Sequence, residues 1–113
     1  MPMVEAVMTK DLGPAAMEAR AGEVAGVLKT LAHPVRLMLA CTLAQGEYSV
    51  GALEDMLDIH QPTLSQQLTV LREAGVVETR REGKQVFYRL TQEQAAKLIQ
   101  ALYGIFCETG DAP

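Results

Sequence analysis

Tryptophan is absent from the chain, and the other aromatics are scarce, with two phenylalanines and three tyrosines. At 113 residues and 49% hydrophobic composition the chain suffices for one compact domain, whose core Leu, Val, Ile, Ala and Met must fill. No apolar run approaches the roughly 18 residues of a membrane-spanning helix. Residues 1–13 lack the basic start and apolar block of a secretory signal. We therefore expect a cytoplasmic protein with no membrane partner.

Catalytic signatures are missing as well. The sequence has no phosphate-binding glycine loop, no nucleophile–base motif and no paired-carboxylate signature, so we expect no enzyme. The only cysteines, Cys41 and Cys107, are too few and too far apart for a disulfide-stapled secreted domain. In a reducing compartment two such thiols are either inert core residues or a redox or metal site.

The acidic net charge of −4 is unevenly distributed along the chain. Residues 61–91 hold five cationic and three acidic side chains, a net of +2, so the remainder carries −6. A local field matters more than the sum when a polyanion approaches. The balance is therefore compatible with an acidic protein that binds nucleic acid through a basic edge.

The hydrophobic periodicity predicts a mainly α fold with one β-hairpin, in the order ααααββα. Residues 1–14 are expected to form a flexible arm, 15–108 the domain and 109–113 a flexible tail. His33 and Pro34 separate the first two helices, and Ser49 is suited to cap the third. The predicted helices are 15–32, 34–45, 50–57, 61–74 and 92–108, and the predicted strands are 76–82 and 85–90.

A short third helix, a tight turn and a longer fourth helix form a helix-turn-helix, whose second helix enters the major groove of DNA. At 100° per residue, Leu64, Leu68 and Leu71 face inward on the fourth helix. A solvated polar face is the usual explanation for the other side, but this side has almost no Lys or Glu. We therefore predict that it reads base edges. The predicted reading residues are Gln61, Thr63, Ser65, Gln66, Gln67 and Val70.

The hairpin that follows is rich in cations. Arg80, Arg81, Lys84 and Arg89 lie on or beside its tip, where they could reach a phosphate backbone or a narrow minor groove. A charged tip commonly serves solubility alone. Its position directly after a reading helix favours a DNA-binding wing.

Residues 31–90 together resemble the ArsR/SmtB family of bacterial repressors. The resemblance rests on the combination of HPVR, QPTLSQQL, VLREAGVV and REGKQVFYRL, with His60 where the family often has a serine cap. It implies a winged helix-turn-helix repressor and a homodimer built from the first and last helices. It also implies that the two reading helices occupy successive major grooves of an imperfect palindrome in double-stranded operator DNA.

The usual metal sites of this family have no counterpart in the sequence. Residues 47–51 contain no thiol or imidazole, and residues 91–108 contain no His or Asp, so we expect no metal and no cofactor. Cys41 and Cys107 match the BigR/SqrR-type subgroup of dithiol repressors. In that subgroup reactive sulfur species act as the inducer: a persulfide converts the pair into an intramolecular polysulfide bridge, and the repressor leaves its operator.

Several alternatives stay open from the sequence. The two thiols could be inert core residues, could bind arsenite or another soft metal ion, or could sense peroxide by forming a disulfide. A different class of function is a winged-helix protein-interaction module with no DNA role.

Overall fold

The computed structural model describes residues 13–106, so Cys107, most of the predicted arm and the whole predicted tail lie outside the described residues. Within residues 13–106 five helices and three strands follow the order ααβααββα. They are α1 (Pro14–Leu31), α2 (Pro34–Leu43), β1 (Tyr48–Ser49), α3 (Val50–Leu57), α4 (Thr63–Glu73), β2 (Val77–Glu82), β3 (Gln85–Leu90) and α5 (Glu93–Phe106).

Side-chain caps set two of the helix starts where the sequence predicts them. His33 Nδ1 accepts a hydrogen bond from the Val35 amide at 3.1 Å, and Pro34 occupies the first turn of α2, where it needs no amide partner. Ser49 Oγ accepts from the Ala52 amide at 3.1 Å at the start of α3. These caps fix the boundaries between the first three helices.

The predicted hairpin is part of a three-stranded antiparallel sheet with strand order β1-β3-β2. Strands β2 and β3 pair from Val77 opposite Leu90 to Glu82 opposite Gln85, and Gly83 turns the tip with a φ of 64°. The added strand β1 has only two residues, with Ser49 opposite Phe87. It ties the hairpin to the segment between α2 and α3.

The core is aliphatic, as the scarcity of aromatics predicts. Helix α4 contributes Leu64, Leu68 and Leu71, which are 0%, 1% and 0% exposed. The other fully buried large side chains come from three further helices and from the connection between α4 and β2, namely Leu39, Leu53, Ile99 and Val76. One face of α4 is therefore held inside the domain.

Two apolar surfaces remain uncovered in the single chain. On α1, Leu31 is buried, while Val24 and Leu28 are 51% and 47% exposed. On α5, Ala95 and Ile99 are buried, but Phe106 is 70% exposed. The first and last helices thus each carry apolar side chains that the domain itself does not cover.

No single helix within residues 13–106 is both long and apolar enough to span a membrane. Helices α1 and α2 reach that length and hydropathy only as a pair, across a bend of 100°.

Candidate nucleic-acid interface and thiol groove

Helix α4 starts at Thr63, two residues after the predicted start at Gln61. The Gln61 side chain supplies the cap that His60 does not: its Oε1 accepts from the Ser65 amide at 3.1 Å, and the Ser65 hydroxyl donates to the same oxygen. Before it, Asp58 ends α3 in the left-handed conformation, with a φ of 55°. Gln61 and Ser65, both predicted to read bases, thus bond to each other at the helix start.

The outward face of α4 is polar and uncharged over its first two turns. Thr63, Gln66 and Val70 are exposed, opposite the buried leucines, and Val70 is 38% exposed. Thr69 flanks them and donates its hydroxyl to the Ser65 carbonyl at 2.8 Å. This face therefore presents an amide, a hydroxyl and an aliphatic side chain, groups that recognise base edges and the thymine methyl.

Two adjacent glutamines on α4 have different surroundings. Gln66 is exposed, whereas Gln67 is half-buried and its Oε1 accepts from Arg36 Nη1 of α2 at 2.9 Å. Arg36 also donates from Nε to the Thr30 carbonyl near the end of α1. Gln67 therefore joins the reading helix to α1 and α2 through one guanidinium group, a contact that the sequence analysis missed.

Arg80 makes its contacts within the protein. Strand alternation and register place it on the same face of the sheet as Phe87, opposite it in β3, and as Glu82, two residues along β2. Its guanidinium lies 4.7 Å from the centre of the Phe87 ring, and it bonds to Glu47 at 2.8–3.1 Å and to Glu82 at 3.0 Å. Its predicted contact with DNA stays a prediction.

The other three hairpin cations differ in whether they pair with an acidic side chain of the protein. Arg89 pairs with Glu78, its partner across the two strands. Arg81 and Lys84 are exposed, and neither forms an ion pair with any residue between 13 and 106. Strand alternation alone, applied to β2, would have placed Arg80 and Arg81 on opposite faces. The cationic part of the wing that remains open to a ligand is therefore Arg81 and Lys84.

The Arg80 contacts shift the ionisation of both partners. Hydrogen bonds from Arg80 lower the pKa of Glu47 most; desolvation opposes them, and the charges of Arg80 and Arg89 act in the same direction as the hydrogen bonds. The same hydrogen bonds, together with the one that Arg80 donates to Glu82, raise the pKa of Arg80. Glu47, Arg80 and Glu82 thus form a cluster of ion pairs at neutral pH.

Cys41 lines a groove between α2 and α5. The groove has a volume of about 320 Å³ and is lined by Cys41, Ala44, Gln45, Ile99, Gln100 and Tyr103. The Cys41 side chain is half-buried, and none of the lining residues is a lysine or arginine. The predicted partner, Cys107, lies outside the described residues. The described range contains no cluster of three His, Cys, Asp or Glu side chains able to hold a metal ion.

Comparison with known proteins points to one group of regulators. The family model for bacterial regulatory proteins of the arsR family matches residues 33–79. The biofilm growth-associated repressor of Agrobacterium fabrum is 76% identical over 92 residues, which cover 81% of this chain and 79% of that protein. These are similarities in sequence.

Solved structures give the same result for the fold. The transcriptional repressor BigR from Xylella fastidiosa superposes with a TM-score of 0.79 and 66% identity, covering 85% of this chain and 98% of that one. The homodimeric winged helix-turn-helix DNA-binding domain of Mb0332 from Mycobacterium bovis gives 0.68 and 34%, covering 86% and 88%. The winged helix-turn-helix fold class predicted from the sequence is confirmed.

The Glu47 carboxyl should titrate below the ordinary range of a glutamate. Because its folded pKa is lowered, the ion pair contributes stability above the unfolded-state pKa and loses it as the pH falls through the folded value. Carbon NMR of the side-chain carboxyl should show this low pKa, and Arg80→Met should return it towards the ordinary value. An identical titration in the two proteins would contradict the assignment.

Proposed function

Because the chain belongs to the arsR family of bacterial regulatory proteins and is a transcriptional repressor of the BigR type, we propose that it binds operator DNA as a homodimer. The operator is an imperfect palindrome, and the inducer is a reactive sulfur species that modifies Cys41 and Cys107. The relatives described above are named as repressors or as a DNA-binding domain, in keeping with a regulatory role.

The observation that carries the DNA-binding proposal is the exposed, uncharged face of α4, together with the exposed cations at the hairpin tip. Thr63, Gln66 and Val70 offer contacts to bases, while Arg81 and Lys84 on the hairpin offer charges to phosphates. The buried leucines on the other side of α4 keep this face exposed. One domain therefore carries both base-reading and backbone-binding groups on its surface.

In the proposed homodimer, a second copy of the chain covers the exposed apolar side chains of α1 and α5. Val24, Leu28, Ile105 and Phe106 are 51%, 47%, 58% and 70% exposed, and a large exposed apolar patch commonly marks a protein interface. The similar Mb0332 domain is homodimeric. A dimer through these helices would carry two copies of α4, which suits two half-sites about one helical turn apart.

The inducer proposal rests on Cys41 and its neighbours. Tyr103, on the last helix, lines the same groove as Cys41, and Cys107 follows Tyr103 by four positions in the sequence. Residues four apart share one face of a helix. In the helix predicted over residues 92–108, this spacing favours an approach of the second thiol to the first.

The proposed chemistry needs two thiolates and a persulfide. One thiolate takes the outer sulfur of a persulfide, RSSH, and releases the thiol RSH; the other attacks the resulting protein persulfide and expels hydrosulfide, leaving a disulfide. If both cysteines are first persulfidated, one persulfide attacks the other, expels hydrosulfide and leaves a trisulfide. The inducer itself supplies the oxidising sulfur.

Helix α2 offers a physical route from the thiols to the DNA. It carries Cys41 in its last half and Arg36 in its first turn, and Arg36 contacts Gln67 of α4. A bridge between α2 and the last helix would shift α2 against α1 and α4. Allosteric couplings are typically about 1–3 kcal/mol, which would lower DNA affinity roughly 5- to 150-fold.

Gln66→Ala should remove base discrimination at one position. We expect a loss of about 1–3 kcal/mol there, roughly 5- to 150-fold, because a glutamine amide can pair with adenine through two bonds. Binding is measured on a duplex enriched from a random library by the purified protein, hereafter the selected duplex, and on its single-base variants. The neighbouring change Gln67→Ala should weaken all these duplexes alike. A Gln66→Ala protein with the full base preference would remove this residue from the readout.

Arg81→Ala and Lys84→Ala should each weaken binding to every sequence and flatten its salt dependence. Each lost phosphate contact lowers the slope of log K against log salt by about 0.9. The control is Lys97→Ala on α5, which removes an exposed charge that lies outside the hairpin. An unchanged slope in both wing variants would place the wing outside the interface.

Cys41→Ser and Cys107→Ser should leave DNA binding by the reduced protein intact and abolish release by a persulfide donor. The reason is that each variant lacks one sulfur of the bridge. The measurement is titration of the selected duplex with untreated, donor-treated and re-reduced protein. A normal response in either variant would rule out the two-thiol mechanism.

Mass spectrometry of the wild-type protein, treated separately with a persulfide donor, peroxide and arsenite, identifies what each inducer leaves on the thiols. A polysulfide bridge adds the mass of its extra sulfur atoms, a disulfide removes two hydrogens, and arsenite or another soft ion is stripped by a chelator. A disulfide that forms with the donor and not with peroxide still identifies the persulfide as the inducer. A protein-interaction module without a DNA role would enrich no duplex from the library.

A further inference from the structure

The cluster of Glu47, Arg80, Glu82 and Phe87 has no place in the function proposed above. Glu47 lies before β1, outside the hairpin, and its side chain is 28% exposed. The Arg80 guanidinium reaches it across the central strand, over the Phe87 ring. The cluster therefore joins β2 and β3 to the residue that precedes β1, and it connects the hairpin to the loop after α2.

The geometry of the Glu47 contact is that of a specific pair. Arg80 Nε lies 3.1 Å from both Glu47 oxygens, and Arg80 Nη2 lies 2.8 Å from Oε1. A guanidinium that donates from two of its nitrogens to one carboxylate has a fixed orientation, which lysine cannot reproduce. Glu82 takes the remaining nitrogen, Nη1, at 3.0 Å.

This arrangement competes with DNA for Arg80. The face of the sheet that holds Arg80 carries Arg80 and Arg89 against Glu47, Glu78 and Glu82, so this face has more carboxylates than cations. A phosphate approaching Arg80 would have to displace Glu47 and would meet Glu82. Arg81, on the opposite side of β2, has no such partner within residues 13–106.

We propose that Glu47 is a positioning residue for the DNA-binding wing, which uses Arg80 to anchor the hairpin and leaves phosphate binding to Arg81 and Lys84. The proposal rests on the DNA-binding function above and deepens it. Arg80 is then a structural cation, although the sequence places it among the wing cations. Glu47 determines where the tip stands relative to α4.

The test compares four variants on the selected duplex and on a scrambled duplex. Glu47→Gln, Arg80→Met and Arg80→Lys should each weaken the selected duplex by about two- to five-fold, the range that exposed pairs support. The salt slope should stay at the wild-type value in all three. The double variant Glu47→Gln/Arg80→Met should be no weaker than the worse single variant, because both changes remove the same contact. Glu78→Gln, which breaks the neighbouring pair with Arg89, is the matched control.

A phosphate-binding role for Arg80 predicts different results for the same variants. If Arg80 binds phosphate, Arg80→Met lowers the salt slope by about 0.9, Arg80→Lys retains most of the affinity, and Glu47→Gln tightens binding by freeing the cation. Those results would overturn the inference while leaving the DNA-binding function in place. Failure of the wild-type protein to bind any duplex would instead overturn the function. Amide hydrogen exchange at the hairpin tip, faster in Glu47→Gln than in the wild type, gives a second readout independent of DNA.

Discussion

The burial of Leu64, Leu68 and Leu71 is the constraint on which the DNA-binding surface depends. These three side chains lie on one side of α4 and are almost completely enclosed. Turning the helix about its axis would expose them, and replacing one buried leucine by alanine typically costs about 2–5 kcal/mol. The core therefore determines which residues of α4 face outward. The composition of that outward face, with Gln66 and Val70 and no charge before Arg72, suits α4 to the proposed reading of base edges.

Electrostatic contacts then decide which cations remain available around this face. Arg36, Arg80 and Arg89 are all bonded inside the chain, to Gln67, Glu47 and Glu78 respectively. Because Glu47 lies outside residues 61–91 and pairs with Arg80, the net charge of +2 in that range overstates the field that DNA would meet at the wing. A small domain with an acidic total charge can still bind a polyanion if its open cations are few and well placed. Arg81 and Lys84 at the hairpin tip meet that description.

Much of this architecture could be predicted because it is encoded locally. The break at His33 and Pro34, the cap at Ser49 and the leucine spacing of α4 each depend on residues within one or two turns. The two-residue strand β1 escaped prediction because it is too short to show a pattern. The Glu47–Arg80 and Arg36–Gln67 contacts join positions 33 and 31 residues apart, which no local pattern reveals. The exposure of Val24 and Leu28 shows the same limit, because an apolar stripe does not say whether its own chain or a second copy will cover it.

In the proposed complex, two copies of α4 occupy successive major grooves of one duplex. Hydroxyl-radical footprinting of the selected duplex, bound by the reduced protein, measures this directly. We expect two protected regions on each strand, centred about 10–10.5 base pairs apart and related by the symmetry of the palindrome. A single protected region, or two regions at another spacing, would contradict it.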